Sequence, residues 1–206
     1  NRIIGLNSHL NVYSSENTIK NEQANKLISN IDNSFFIQYF KSLETNGLII
    51  ESNKSKGVMI KGYDKYNKEH YLFNSIKNGS LIQNLKNDIL IGDSLANEMN
   101  VVVGDKIKIA IPKTDKTILG NIPRFKTLEV VGIFDLGLYE YDSNLVFLSS
   151  ELVRKLLLYD DNIYNKIEFF TEFPNDIEKF KNIVDLEILN LLLNYYSISW
   201  KDINQT

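Results

Sequence analysis

The spacing of apolar residues changes several times along the chain, and the changes outline an α+β protein. A period of two predicts strands, whereas apolar residues three and four positions apart between Glu16 and Ile31 predict a helix. A polar turn at residues 53–56 lets the strand after it pair back on the strand before it. The first part of the chain is therefore a strand at 8–14, a helix at 16–31 and further strands at 34–39, 47–51 and 57–62.

The rest of the chain predicts mostly antiparallel strands with short helices between them. Residues 63–87 are polar and broken by turn residues such as Gly79, which indicates a crossover to a second lobe. Pro174 precedes a helix start, and Ser149 or Ser150 can cap another helix. The predicted strands are 89–92, 106–111, 127–134, 145–148, 167–170 and 196–200, and the predicted helices are 95–99, 151–158 and 175–182.

The connection between strands 106–111 and 127–134 forms an arm that is apolar near its tip. It runs from residue 112 to residue 126, and long ordered connections are usually functional. Four apolar side chains lie on it, each of which gains ~1.5–3 kcal/mol when buried. Two explanations stay equally open on this chemistry: the arm folds over its own lobe, or a partner covers it. The apolar residues are Ile118, Leu119, Ile122 and Phe125, and the flanking basic residues are Lys108, Lys116, Arg124 and Lys126.

Composition narrows the function classes. The chain has 206 residues and a net charge of −3. This charge argues against nucleic-acid binding, because a nucleic-acid binder needs a basic face. Its sequence lacks cysteine, which excludes disulfides and thiolate chemistry, and it contains no apolar run of ~18 residues that would span a bilayer. The chain begins with Asn1 and not with Met, so we expect it to be a segment of a longer protein. No signal-peptide pattern follows Asn1.

Catalytic and cofactor chemistry finds little support. His9 and His70 are the two histidines, and their spacing matches no metal motif. A serine nucleophile would need one of them as its base. The carboxylates Asp135, Glu140 and Asp142 lie close in sequence, but a solvated turn explains them better than acid–base work. With no phosphate-binding glycine motif either, we predict no enzyme, no cofactor and no metal.

Several segments, in order, resemble one family. GNIPRFKTLEVVGIF at 120–134 and GLYEYDSNLVFLS at 137–149 look like the periplasmic domain of lipoprotein-releasing ABC transporter permeases of the LolC/LolE type. The resemblance covers essentially the whole chain and implies a MacB-like periplasmic core domain. Further matches are NRIIGLNSHLNV at 1–12, GVMIKGYD at 57–64, ILIGDSLA at 89–96, VVGDKI at 102–107 and WKDIN at 200–204.

The family implies a fold with two lobes. An α/β porter lobe would comprise residues 1–64 and 162–206. A β-rich sabre lobe, inserted at 65–161, would carry a protruding β-hairpin hook at about 112–126. The family also implies a periplasmic loop of an inner-membrane protein of a Gram-negative bacterium.

The family further implies a partner-binding role for the arm. Permeases of this type pass lipoproteins from the inner membrane to the periplasmic carrier LolA, and a separate LolD subunit hydrolyses ATP. In the LolC branch the hook binds LolA, and sheet residues beside it form a contact pad. The implied hook residues are Thr117, Ile118, Leu119, Gly120, Asn121, Ile122 and Pro123, and the implied pad residues are Lys108, Arg124, Phe125 and Lys126.

The arm favours the LolC branch, because LolE lacks the hook. The segment at 137–143 also resembles systems in which a single permease acts as a homodimer, so the second permease is either identical or LolE-like. The alternative function is a MacB-like mechanotransmission domain that binds the periplasmic adaptor of an efflux transporter.

Overall fold

A computed structural model describes residues 8–117 and 120–203, with the side chains of 112–123 outside the description. The chain divides into two compact units: unit 1 comprises residues 1–42 and 162–206, and unit 2 comprises 43–161. Residues 43–63 belong to unit 2, because strands in this stretch pair with other strands of that unit.

Strands and helices are interspersed along the whole described chain. In chain order, they are β1 Leu10–Ser14, β2 Ile19–Lys20, α1 Asn21–Asn30, β3 Gln38–Glu51, β4 Lys54–Tyr63, β5 Ile76–Gly79, β6 Asp88–Gly92, α2 Asp93–Met99, β7 Lys106–Thr117, β8 Gly120–Phe134, α3 Tyr139–Asn144, β9 Leu145–Ser149, α4 Ser150–Leu157, β10 Ile163–Tyr164, β11 Lys166–Phe170, α5 Ile177–Asn190, β12 Tyr195–Ser199 and α6 Trp200–Ile203, with 3₁₀ turns at Asn33–Phe35, Phe73–Ser75 and Pro174–Asp176.

Unit 1 is an antiparallel sheet covered by helices. Its strands lie in the order β12–β1–β11–β3, and β2 pairs with β10 in a small separate sheet. Alternate residues of β1 and β11, such as Leu10 and Phe169, are fully buried. They pack in one core with the apolar sides of α1 and α5, which include Leu27 and Phe180.

Unit 2 contains a closed ring of strands. The sheet order runs β3–β4–β9–β6–β8, and β7 pairs with both β8 and β3. Six strands therefore form a barrel without free edges between them. Its interior holds alternate strand residues such as Ile49, Ile60 and Ile109, together with apolar residues of α2 and α4.

The outside of the barrel is covered along part of its circumference. Strands β6 and β9 are buried at every position, and aromatic side chains from the end of β4 and the segment after it cover the outer side of β9. Phe147 on β9 contacts the rings of Tyr63 and Tyr71, with centroids 6.2 and 6.4 Å apart. The ring of His70 packs against the ring of Tyr63, with the two ring centroids 4.7 Å apart. The histidine thus belongs to an aromatic cluster outside the barrel.

The structure differs from the sequence-based elements in lengths more than in types. The strand predicted at 47–51 is the end of the long strand β3, which begins at Gln38. The strand predicted at 34–39 is mostly wrong, because Asn33–Phe35 is a 3₁₀ turn and only residues 38–39 belong to β3. The arm is made of strand extensions, since β7 continues to Thr117 and β8 begins at Gly120. The solvated turn predicted around Asp135, Glu140 and Asp142 contains the short helix α3, and Asp142 is buried, not solvated. None of the helices within 8–117 and 120–203 has the length and apolar character needed to cross a membrane.

Gly92 allows α3 to approach β6 closely, which gives a test of the fold. A Cβ atom at Gly92 would lie 2.1 Å from the backbone oxygen of Asp142. We expect Gly92→Ala to lower the free energy of unfolding by about 2 kcal/mol, as overpacking against backbone does. Urea unfolding followed by far-ultraviolet circular dichroism measures this. Gly57→Ala is the matched control, because a Cβ there meets nothing within 4 Å, and an equal loss in both variants would contradict the explanation.

Candidate partner-binding surface

The predicted hook is the outer part of the β7–β8 hairpin. The two strands pair from Lys106 opposite Glu129 to Thr117 opposite Gly120, with a register shift between Ile111 and Thr114. The shift coincides with Pro112, which has no N–H to donate. Strand β3 pairs with β7 only at Lys108–Ala110 in the described register. The pairing of the hook residues Thr117 and Gly120–Pro123 is therefore that of a two-stranded hairpin, and Ile118 and Leu119 lie outside the described residues.

The four predicted pad residues lie on two different faces of this hairpin. Residues directly opposite each other in an antiparallel pair share a face. Arg124 and Lys126 are opposite Ile111 and Ile109, which point into the barrel. Phe125 is opposite Ala110, and Lys108 is opposite Thr127. The structure therefore brings Lys108 and Phe125 together on the outside and places the other two on the inner side.

Arg124 makes a contact within unit 2. Its Nη1 donates a hydrogen bond to the backbone oxygen of Leu156 at 2.9 Å. That oxygen belongs to the last turn of α4, where carbonyl groups lack helical partners and attract positive charge. The Arg124 side chain thus connects the base of the β7–β8 hairpin to α4, whose apolar residues are part of the barrel core.

The outer face at the hairpin root is apolar and exposed. Leu48 on β3 lies opposite Ala110, and Ala110 lies opposite Phe125. Leu48 is 43% exposed and Phe125 is 61% exposed, whereas Ala110 between them is 6% exposed. The neighbouring cross-strand row contains Ile50, Lys108 and Thr127. On this face, the positively charged side chain of Lys108 therefore lies beside a row of apolar side chains.

Sequence reasoning missed Leu48 and Met59 as surface residues. Both lie in runs of consecutive apolar residues, at Gly47–Ile50 and Gly57–Ile60. In a barrel strand only alternate residues enter the interior, so such a run must place apolar groups outside as well. Met59 is 45% exposed, while Val58 and Ile60 beside it are buried in the barrel. These two runs of consecutive apolar residues are the sequence pattern from which the exposed face could have been predicted.

The other candidate groups have structural roles. His9 Nδ1 accepts the backbone N–H of Thr171 at 2.8 Å. Asp142 is buried, and its two carboxylate oxygens accept the N–H groups of Leu136 and Leu138 at 2.8 and 3.1 Å. Burial raises the pKa of the Asp142 carboxyl, the neighbouring Asp135 adds to the rise, and the two hydrogen bonds oppose it. Among the described residues no group of three or more histidine and carboxylate side chains is arranged to hold a metal ion.

Comparison with known proteins gives relatives in one transport system. The chain is 30% identical over 117 residues to the lipoprotein-releasing system transmembrane protein LolC of Xylella fastidiosa strain Temecula1, a match that covers 54% of this chain and 28% of that protein. It is 33% identical over 76 residues to LolC of Neisseria meningitidis serogroup B strain MC58, covering 37% and 18%. The chain thus spans less than a third of the length of these relatives. No family model matches it.

Solved structures give the same fold at low sequence identity. The periplasmic region of MacB from Actinobacillus actinomycetemcomitans matches with a TM-score of 0.60 and 14% identity, covering 99% of this chain and 94% of that one. The chain resembles LolC in sequence and MacB in fold. The extracellular domain of the noncanonic ABC-type transporter YknZ from Gram-positive bacteria also matches, with a TM-score of 0.59, 14% identity and coverage of 92% and 99%. The predicted resemblance and the predicted MacB-like fold are both confirmed.

Arg124 can be tested for a structural contribution. Arg124→Met keeps the aliphatic stem and removes the donor to the Leu156 oxygen. We expect it to lower the free energy of unfolding by about 1 kcal/mol, the usual net value of such a bond. Lys126→Met, two residues along the same face of β8, is the control and should lose less than half as much in the same urea titration. Equal losses would contradict the assigned contact.

Asp142 gives the protein a pH dependence that is opposite to that of most carboxylates. Because its pKa is raised in the folded state, the folded protein binds this proton more tightly than the unfolded chain does. We expect wild type to gain stability relative to Asp142→Asn as the pH falls through the raised pKa toward the ordinary value of 3.8. Urea unfolding of both proteins between about pH 7 and about pH 4 measures the difference, at most ~1.4 kcal/mol per pH unit. A free energy of unfolding of wild type that falls relative to that of Asp142→Asn as the pH is lowered would contradict the raised pKa.

Proposed function

We propose that the chain is the periplasmic domain of the permease subunit of a lipoprotein-releasing ABC transporter, and that it recruits the carrier LolA through the β7–β8 hairpin. The observation that carries the proposal is the continuation of both strands beyond the barrel pairing into residues Thr114–Thr117 and Gly120–Pro123. The LolC relatives and the MacB-like fold support the class of protein.

The hairpin suits a docking role for two physical reasons. Its strands pair with each other, so the backbone polar groups that face across the hairpin are hydrogen-bonded within it, without help from a partner. The segment 117–123 carries several apolar residues, and an apolar tip favours contact with an apolar surface over contact with water. A preordered hairpin also loses less conformational freedom on binding than a flexible loop would.

The assembly around the domain follows from the same proposal. Lipoproteins would pass from the inner membrane toward the outer membrane, and the domain itself would perform no catalysis. The LolD subunit would hydrolyse ATP, and a second permease, identical or LolE-like, would complete the transporter. The domain would lie in the periplasm of a Gram-negative bacterium as a loop of an inner-membrane protein.

A MacB-like mechanotransmission domain is the second candidate. The observation in its favour is the fold match to the periplasmic region of MacB along 99% of this chain. In this case the domain would bind a periplasmic adaptor of an efflux transporter. Pulldowns with LolA and with such an adaptor, side by side, distinguish the two candidates, since each predicts capture of one protein and not of the other.

The hairpin proposal predicts a loss of carrier affinity when the hook is altered. We expect Ile122→Asp to weaken binding of cognate LolA to this chain more than about tenfold, and Pro123→Ala to weaken it less, because central apolar contacts dominate protein interfaces. Isothermal titration calorimetry measures the affinities. Leu186→Asp, at a residue 59% exposed on α5 of unit 1, is the matched control and should bind like wild type. Wild-type affinity in both hook variants would refute the hook.

A further inference from the structure

One end of unit 1 carries exposed apolar side chains beside both ends of the described chain. We infer that this chain-end surface, formed by Ile37, Phe173 and Ile203, rests directly on the lipid of a bilayer. The inference rests on the proposed function, in which the chain is a loop of an inner-membrane protein and both of its ends lead back to the membrane. It concerns residues of unit 1, whereas the β7–β8 hairpin belongs to unit 2.

Strand register places the two ends of the described chain together. Leu10, near the start, lies opposite Ser199 in the β1–β12 pair. The backbone N–H of Trp200 donates a hydrogen bond to the backbone oxygen of His9 at 3.0 Å. Under the proposed function, this end of the strands is therefore the end of unit 1 that lies nearest the bilayer.

Three segments that carry the chain-end surface meet at the end of β11. The indole Nε1 of Trp200 donates to the backbone oxygen of Pro174 at 2.8 Å, which holds α6 beside Phe173. The backbone N–H of Ile37 donates to the oxygen of Phe170 at 2.8 Å, three residues before Phe173. The apolar side chains of this surface are therefore contributed by ordered, hydrogen-bonded backbone.

The chain-end surface is open in the isolated unit. Ile37, Phe173 and Ile203 are 63, 62 and 56% exposed, and Tyr39, two residues after Ile37, is 41% exposed. An apolar patch left open on a folded domain usually marks an interaction site. Aromatic residues such as Trp200 and Tyr39 are enriched where proteins meet the surface of a bilayer. The composition of this surface thus suits the boundary between water and lipid.

The charges at this end favour apolar contact with lipid over electrostatic contact. Glu172 precedes Phe173 and Asp176 follows it in the 3₁₀ turn, and both carboxylates are exposed. Lys201 Nζ donates to the backbone oxygen of Asn175 at 2.6 Å. Because carboxylates are repelled by anionic headgroups, we expect binding to uncharged phospholipid surfaces. The contact should also depend little on salt, since salt screens charges and not apolar burial.

The sequence provides one reporter and one attachment point for a test. Trp200 is the single tryptophan, and the chain contains no cysteine. A cysteine added before Asn1 therefore couples the full chain to a maleimide lipid in phosphatidylcholine vesicles at one position. Quenching of Trp200 fluorescence by brominated acyl chains, relative to the same lipid without bromine, measures the docked fraction. We expect quenching of wild type that added phosphatidylglycerol does not increase.

Substitutions of the exposed apolar residues test the contact itself. We expect Phe173→Ser and Ile37→Ser each to lower the ratio of docked to undocked chain about tenfold, as loss of one buried apolar side chain does. Leu192→Ser is the matched control, because Leu192 is 88% exposed. It lies at the other end of the sheet, where Ser15 N–H donates to the Asn194 oxygen at 2.9 Å, and should dock like wild type. Thermal unfolding verifies that each variant is folded.

The outcomes separate this inference from the carrier proposal. No quenching of wild type, or equal quenching in all variants, together with LolA binding in calorimetry would overturn the chain-end surface and leave the carrier proposal standing. Quenching that falls in Phe173→Ser and Ile37→Ser, without LolA binding by wild type, would support the surface and overturn the carrier proposal. Sedimentation velocity of the unattached chain tests a second copy as the occupant. Self-association that Phe173→Ser abolishes, without quenching by lipid, would overturn the inference.

Discussion

Strand β7 pairs on one side with β3 and on the other with β8, and this double pairing closes the barrel of unit 2. Closure determines two faces for every strand, one in a packed interior and one outside. Ile107, Ile109 and Ile111 are taken into the core, which leaves Lys108 and Ala110 outside. The same registers place Leu48 and Phe125 in one row with Ala110. Which side chains of β3, β7 and β8 lie outside the barrel thus follows from how one strand is hydrogen-bonded.

The closed barrel also explains how the hairpin root is held. Interior positions accept apolar groups, but at the rim Arg124 takes an inner position opposite Ile111. Its guanidinium reaches the Leu156 oxygen at the end of α4, which satisfies a carbonyl that the helix leaves unpaired. The aliphatic stem can cover the apolar layer beneath it while the charged end makes the bond. The arm therefore leaves the barrel from a point supported on both its inner and its strand-paired sides.

Sequence patterns were most reliable where a short period repeats several times. The alternation at Lys106–Ile111 and Thr127–Phe134 predicted both barrel strands, and Ser149 was correctly identified as a possible cap, since its Oγ accepts the N–H of Leu152 at 3.1 Å. The resemblance predicts a hairpin at about 112–126, but the apolar pattern does not extend either strand into it, because Thr114–Thr117 lacks an apolar alternation. The strand there is defined by its pairing with β8. Strand β5, of four residues, was missed for the same reason. Its pairing with β8 depends on contacts distant in sequence, which local propensity does not encode.

Contacts between residues distant in sequence limit the prediction of the candidate site even more than the prediction of the fold. The family resemblance indicated residues near the arm, but one-dimensional proximity cannot separate Arg124 from Phe125, whose side chains point to opposite faces because the side-chain period of a strand is two. Leu48 and Gly57 are distant in sequence from the arm and come beside it only through the β3–β7 and β3–β4 pairings. Their exposure is a cost to the isolated domain, since apolar groups left in water contribute nothing to folding.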